Sequence, residues 1–183
     1  HRDAKGGELL PLLDDDAARS ELLFITGGED LAQLREAVSL NAAHAGALSS
    51  LFSQLIKAGL TIELRERIEN ALLIAENPKQ IDVPFRFAVK YFVNDVLEPD
   101  VFLDLFVNHQ LWSNLDESQL ELILNLSLQQ SRADCLRSVV SELETRGGPV
   151  SSLMSSKAKL HVLLASGRES EAMEVIEQIL KNE

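Results

Sequence analysis

The feature that most constrains this chain is a pair of amphipathic segments that meet at Gly167. Apolar residues recur at helical spacing on both sides of this glycine: Leu160, Leu163 and Leu164 before it, and Ala172, Val175, Ile176 and Ile179 after it. A glycine just beyond a helix end can take the left-handed conformation that reverses the chain. A small residue such as Ala172 lets the returning backbone approach closely. Residues 157–180 are therefore predicted to form an αα-hairpin.

The same plan recurs earlier in the chain at an offset of about 36 residues. This offset aligns Leu124 with Leu160, Leu128 with Leu164, Val139 with Val175, Val140 with Ile176 and Leu143 with Ile179. Helix starts are predicted near positions 83, 116 and 150, and no strand pattern stands out. Such spacing is typical of solenoid repeats, in which each hairpin buries its apolar face on its neighbour. We therefore predict an all-α fold of antiparallel hairpins stacked as a short α-solenoid, with a compact helical bundle as the alternative.

Local signals predict several helix ends and one domain boundary. Asp116 followed by Gln119 predicts a capping box. Thr61 is predicted as an N-cap, and Pro84 is expected in the first turn of a helix. The Gly27–Gly28 pair is predicted to separate an N-terminal extension with short helices, residues 1–28, from a helical-repeat domain, residues 29–183.

Composition narrows the classes of partner and compartment. The net charge of −12 argues against nucleic acid or an anionic membrane as the main partner, because like charges repel. No apolar run reaches transmembrane length and no signal peptide is recognisable. The single cysteine, Cys135, excludes an internal disulfide and is compatible with a reducing compartment. Because the chain begins with His1 rather than Met, we expect a piece of a larger intracellular protein, with cytoplasm, nucleus and organelle left open.

Residues that would indicate catalysis or metal binding do not occur in recognisable patterns. The four histidines, His1, His44, His109 and His161, show no metal-ligand spacing. The sequence contains no phosphate-binding loop, nucleophile elbow or HExxH motif. Cys135 lies beside an apolar stripe, which favours a buried structural thiol. We therefore expect a non-enzymatic protein without a cofactor or metal site.

Large aromatic residues concentrate in the middle of the chain. Most of them are expected in the core, but an exposed aromatic face would suit a protein partner. The candidate partner-binding residues are Tyr91, Phe102, Phe106 and Trp112. Tyr91 and Trp112 are preferred for an exposed position because their polar tips suit interfaces.

The turn around Gly167 resembles that of tetratricopeptide and pentatricopeptide repeats, in which an alanine such as Ala172 follows the glycine by five residues. Elsewhere the chain differs from the tetratricopeptide consensus, for example at Ser156, Leu160 and Leu163, and a HEAT-like hairpin array fits equally. The tetratricopeptide resemblance implies a groove for peptides or protein helices, whereas the pentatricopeptide resemblance implies binding of single-stranded RNA.

The acidic charge and the lack of a repeated polar pair at equivalent points of the hairpins favour the protein-binding interpretation. We therefore expect a scaffold or adaptor domain that binds a protein partner. An RNA-associated pentatricopeptide-like repeat and a self-association module, which would form a homo-oligomer, are the alternatives.

Overall fold

The computed structural model of the chain describes residues 15–181 and is all-α, as predicted. No strand occurs in this range, and successive helices pack against each other as in a helical solenoid or bundle. The chain divides into two compact units after Val96. The predicted boundary between residues 1–28 and 29–183 stays a prediction, and residues 1–14 of that extension lie outside the described part.

The first unit contains five described α-helices and a π-helical segment. These are α1 (Asp16–Gly27), α2 (Leu31–Leu40), α3 (Ala45–Lys57), α4 (Thr61–Ile74), α5 (Pro78–Ala88) and the π-helix Val89–Asp95. Each helix packs on the next, and α3 also packs on α1 and α5. Helix α3 lies at the centre because its stripe at i, i+3, i+4 and i+7 is buried along its whole length: Ala47, Leu48, Leu51, Phe52 and Leu55.

Polar contacts fix the helices of the first unit. The Ser20 hydroxyl of α1 donates a 2.7 Å hydrogen bond to the carbonyl oxygen of Ala37 in α2, inside the core. Arg35 of α2 donates to both carboxylate oxygens of Glu63 in α4, at 2.8 and 2.5 Å. This bidentate pair lowers the pKa of Glu63 through the hydrogen bonds from Arg35.

Two predicted helix starts in this unit are wrong. Thr61 is the first residue of α4 and caps nothing, and Leu60 precedes it without a side-chain cap. Pro84 lies inside α5 because the helix begins earlier, where Asn77 accepts hydrogen bonds from the following amides and Pro78 takes the first turn. The Asn77–Pro78 pair therefore opens α5.

The second unit contains five described α-helices and one 3₁₀ turn. They are α6 (Pro99–His109), the 3₁₀ turn Leu111–Asn114, α7 (Glu117–Gln129), α8 (Ala133–Arg146), α9 (Pro149–Ala165) and α10 (Glu169–Lys181). Each α-helix packs on the next. In addition α8 packs on α6 and α9 packs on α7, which is the neighbour-to-neighbour pattern of stacked hairpins.

The predicted turns of the second unit are confirmed. Asp116 accepts from the Gln119 amide at 2.8 Å, and the Gln119 side chain accepts from the Asp116 amide at 3.0 Å, which completes the capping box. Gly167 has a φ of 68°, the left-handed conformation that the hairpin requires. Ala172 is buried where α10 returns along α9.

An arginine at the α7–α8 turn ties three elements together. Arg132 donates to Asp134 at the start of α8 at 2.8 Å and to Asp104 of α6 at 2.6 Å, and it pairs with Asp100 at 3.3 Å. The hydrogen bonds from Arg132 hold the pKa of Asp134 well below its ordinary value. The start of α8 is thus fixed to α6 by the contacts of Arg132.

Candidate protein-binding groove

The structure places three of the four predicted partner-binding aromatic residues together in the core of the second unit. The rings of Phe102 and Phe106 on α6 are fully buried, with centroids 5.0 Å apart. Trp112 lies 6.0 Å from Phe106 and is 7% exposed. Tyr91 lies in the π-helix of the first unit, half-buried and edge-on to Phe92. The partner-binding role of these four residues stays a prediction; Phe102, Phe106 and Trp112 pack as core side chains, whereas Tyr91 is partly exposed.

The backbone at Trp112 is also bound by an arginine. Arg146 at the end of α8 donates to the carbonyl oxygens of Trp112 at 2.8 Å and Leu115 at 2.6 Å, and its Nε donates to Glu142. The Trp112 carbonyl also accepts a 3.2 Å hydrogen bond from the Leu115 amide, so Arg146 adds a second donor to this oxygen and supplies one to the Leu115 carbonyl. Charge-assisted hydrogen bonds from Arg146 thus fix the backbone that carries Trp112, which packs against Phe106.

An apolar groove lies between α8 and α9. A cavity of about 270 Å³ there is lined by Leu136, Arg137, Val140, Ser141, Glu144, Lys159, Val162 and Leu163. A second cavity, of about 400 Å³, extends toward the α7–α8 turn and is lined by Leu128, Gln129, Ser131, Ala133, Leu136, His161, Val162, Ala165 and Ser166. Because the two cavities share Leu136 and Val162, they form one surface, called here the C-terminal groove.

The groove remains open because the last helix does not cover α8. Helices α8 and α9 each pack on the helix two before them, whereas α10 packs substantially on α9 alone. The groove side chains Val140, Val162 and Leu163 are consequently only half-buried. In a stacked array of hairpins, these positions would be covered by a neighbouring helix.

The rim of the groove carries the basic side chains Lys159 and Arg137 and, at the second cavity, His161. Lys159 pairs with Glu144 across the groove. The side chain of Arg137 is exposed and makes no ion pair or hydrogen bond with the groups that the structure describes. His161 is exposed at the second cavity. A partner that carries an acidic side chain therefore finds an unpaired guanidinium beside apolar surface.

A second uncovered apolar surface lies on α10. The side toward α9 is formed by buried Ala172 and half-buried Val175 and Ile179. Met173 and Leu180 directly follow Ala172 and Ile179 in the sequence and therefore lie on the adjoining face of α10. Their side chains are 56% and 67% exposed. The apolar arc of α10 is thus wider than α9 alone can cover.

Metal ligands and the cysteine thiol are the candidate reactive groups of the described residues. Between residues 15 and 181, no group of three His, Cys, Asp or Glu side chains could hold a metal ion. Cys135 is buried, as predicted, and lies 2.8 Å from the Ser127 hydroxyl. Burial raises the pKa of the Cys135 thiol to about 11, so a thiolate nucleophile is disfavoured at neutral pH. None of the described helices is long and apolar enough to cross a membrane.

Sequence reasoning did not single out the groove. The 36-residue offset aligns Val140 with Ile176 as apolar positions of successive helices, but an apolar stripe does not show which of its residues a neighbouring helix covers. One signal was available: Met173 and Leu180 extend the apolar arc of α10 beyond the width that one neighbouring helix buries. Such an arc predicts a second contact for the last hairpin.

Comparison of the chain with known protein families, with curated protein sequences and with solved structures finds no match. The groove geometry and the sequence pattern therefore carry the functional proposal.

Proposed function

We propose that this chain is a non-enzymatic helical-repeat domain, a degenerate relative of tetratricopeptide-type arrays, that acts as a scaffold or adaptor in an intracellular protein. The observation that carries the proposal is the C-terminal groove, which is apolar along its floor and has an unpaired cation at its rim. Supporting it are the stacked hairpins and the left-handed turn at Gly167 with its closely packed Ala172.

The partner that fits this groove is an amphipathic helix. Helix-in-groove recognition uses apolar side chains at i, i+3, i+4 and i+7 that enter a hydrophobic furrow. The floor residues Leu136, Val140 and Val162 offer such a furrow, and the exposed Arg137 favours an acidic residue beside the partner's apolar stripe. The cations at the rim set orientation and specificity more than affinity, because exposed ion pairs contribute only about 0 to 1 kcal/mol.

Capture from lysate with matched charge-reversal variants tests this proposal. Arg137→Glu changes the rim of the groove, whereas Lys157→Glu makes the same change of charge at an exposed position of α9 that lines neither cavity. We expect Arg137→Glu to lose the captured protein partner and Lys157→Glu to retain it, with and without RNase. Capture that both variants retain equally would contradict the proposed groove. Capture that RNase abolishes would favour the RNA-binding alternative.

A further inference from the structure

The exposed stripe of α10 has the chemistry that the C-terminal groove is expected to bind. Glu169, Met173, Ile176 and Leu180 follow one another at i, i+4, i+7 and i+11, so they share one face of the helix. Glu169 is exposed and makes no ion pair or hydrogen bond within the described residues. This face therefore presents the exposed side chains of Met173 and Leu180, the half-buried side chain of Ile176 and one unpaired carboxylate.

The groove and this stripe are complementary in apolar surface and in charge. The groove offers apolar side chains and the unpaired guanidinium of Arg137, and the stripe offers apolar side chains and the unpaired carboxylate of Glu169. Both surfaces are left open for the same reason, since α10 packs substantially on α9 but not on α8. Two complementary uncovered surfaces on one chain allow two copies to cover both at once.

We propose that the C-terminal groove binds α10 of a second copy of this chain, and that the exchange is reciprocal. The stripe of Met173, Ile176 and Leu180 lies against the apolar floor of the partner's groove, with Glu169 facing Arg137. A reciprocal exchange of this kind closes as a twofold dimer and leaves no unfilled copy of either surface. The inference rests on the proposed function, because it names the occupant of the same groove.

The acidic net charge opposes association of two copies but does not decide it. At physiological ionic strength, charges more than about 8 Å apart are largely screened. The charge of −12 is spread over 183 residues, whereas the pairing of Glu169 with Arg137 is local. Apolar burial of three side chains per stripe supplies the main stabilisation.

Sedimentation velocity of the full chain over a range of concentrations tests the proposal. We expect a reversible dimer whose dissociation constant rises about tenfold or more with Arg137→Glu, with Glu169→Arg and with Met173→Glu. The control Lys157→Glu should leave it unchanged. The double variant Arg137→Glu with Glu169→Arg should recover most of the lost affinity, because the swapped charges face each other again. Failure of the double variant to recover would overturn the predicted pairing.

Two further outcomes would overturn the inference while separating it from the proposed function. The first uses two differently tagged copies, one with a photo-crosslinking amino acid in place of Val140. We expect crosslinks to residues 169–180 of the other copy, and crosslinks confined to the same copy would show closure within one chain instead. The second outcome is a native chain that stays monomeric while capture of a separate protein still depends on Arg137, in which case this inference fails and the proposed function stands. Loss of both self-association and Arg137-dependent capture would overturn both.

Discussion

Arg146 Nη2 donates a 2.8 Å hydrogen bond to the carbonyl oxygen of Trp112, 34 residues earlier in the chain. A second bond from the same guanidinium reaches the Leu115 carbonyl at 2.6 Å. This separation is close to the predicted repeat length. The contact therefore joins the end of α8 to the turn that follows α6, the helix two before it. It also places the chain's one tryptophan beside a structural contact whose strength can be measured.

Replacing this arginine is expected to destabilise the second unit. Arg146→Gln should lower the free energy of unfolding by about 1.5 to 3 kcal/mol, because charge-assisted bonds to two carbonyls are lost. Lys157→Gln, at an exposed position of α9 that lines neither cavity, should change it by less than about 0.5 kcal/mol. Urea unfolding followed by Trp112 fluorescence measures both values. Equal effects of the two variants would contradict the role assigned to Arg146.

The contact of Arg132 with Asp134 is expected to make stability depend on pH. The hydrogen bonds from Arg132 lower the pKa of Asp134 from its ordinary value of 3.8, so the folded chain binds this proton less readily than the unfolded chain. The stabilisation is therefore fully present above the ordinary pKa and is lost as the pH falls below it. Arg132→Gln should destabilise the chain more at about pH 6 than at about pH 3.

The matched control for this pH dependence is Arg86→Gln. Arg86 pairs with Asp82 on the surface of α5, where both side chains are exposed. Solvent screening makes such a pair weak, so the variant should shift stability little at either pH. If the loss caused by Arg132→Gln were the same at both pH values, the account of Asp134 would be wrong.

Cys135 is expected to be unreactive in the folded chain. The side chain is buried, and a pKa of about 11 leaves about one thiol in a thousand ionised at pH 8. Alkylation should therefore be at least about a hundredfold slower than in denaturant. A cysteine introduced at exposed Lys157 in a Cys135→Ala background supplies the rate for an accessible thiol. Equal rates at the two positions would show that the core around Cys135 is open.

His44 is expected to stabilise the first unit as a helix cap. Its Nδ1 accepts a hydrogen bond from the Ala47 amide at 3.1 Å, and its Nε2 lies 2.6 Å from a Glu21 carboxylate oxygen. His44→Ala should lower the free energy of unfolding by about 1 to 2 kcal/mol, because the cap is lost. His44→Asn should cost less, because asparagine can cap the same amide, and urea unfolding compares the two. Equal losses would assign the effect to the contact with Glu21 or to ring packing.

Local chemistry explains what could be predicted from the sequence. The capping box at Asp116 and the turn at Gly167 depend on residues a few positions apart, and both are confirmed. The prediction for Pro84 is wrong because Asn77 and Pro78 supply a start signal earlier in the chain. The prediction for Thr61 is wrong because α4 begins one residue sooner than a Thr61 cap requires, after Leu60, which makes no side-chain cap.

The groove depends on contacts between helices that a single sequence does not specify. Whether Val140 and Val162 are covered depends on which helices α10 contacts, and periodicity reports only that these residues share an apolar face. The burial of Phe102 and Phe106 likewise follows from packing around Trp112 rather than from any local pattern.

Site-specific photo-crosslinking tests the central claim most directly. A photo-crosslinking amino acid would replace Val162 on the groove floor, or Lys157 on the exposed side of the same helix as the control. We expect position 162 to capture an amphipathic helical segment, from a separate protein or from α10 of a second copy, and position 157 to capture none. Equal capture from both positions, or capture of RNA from position 162, would contradict that claim.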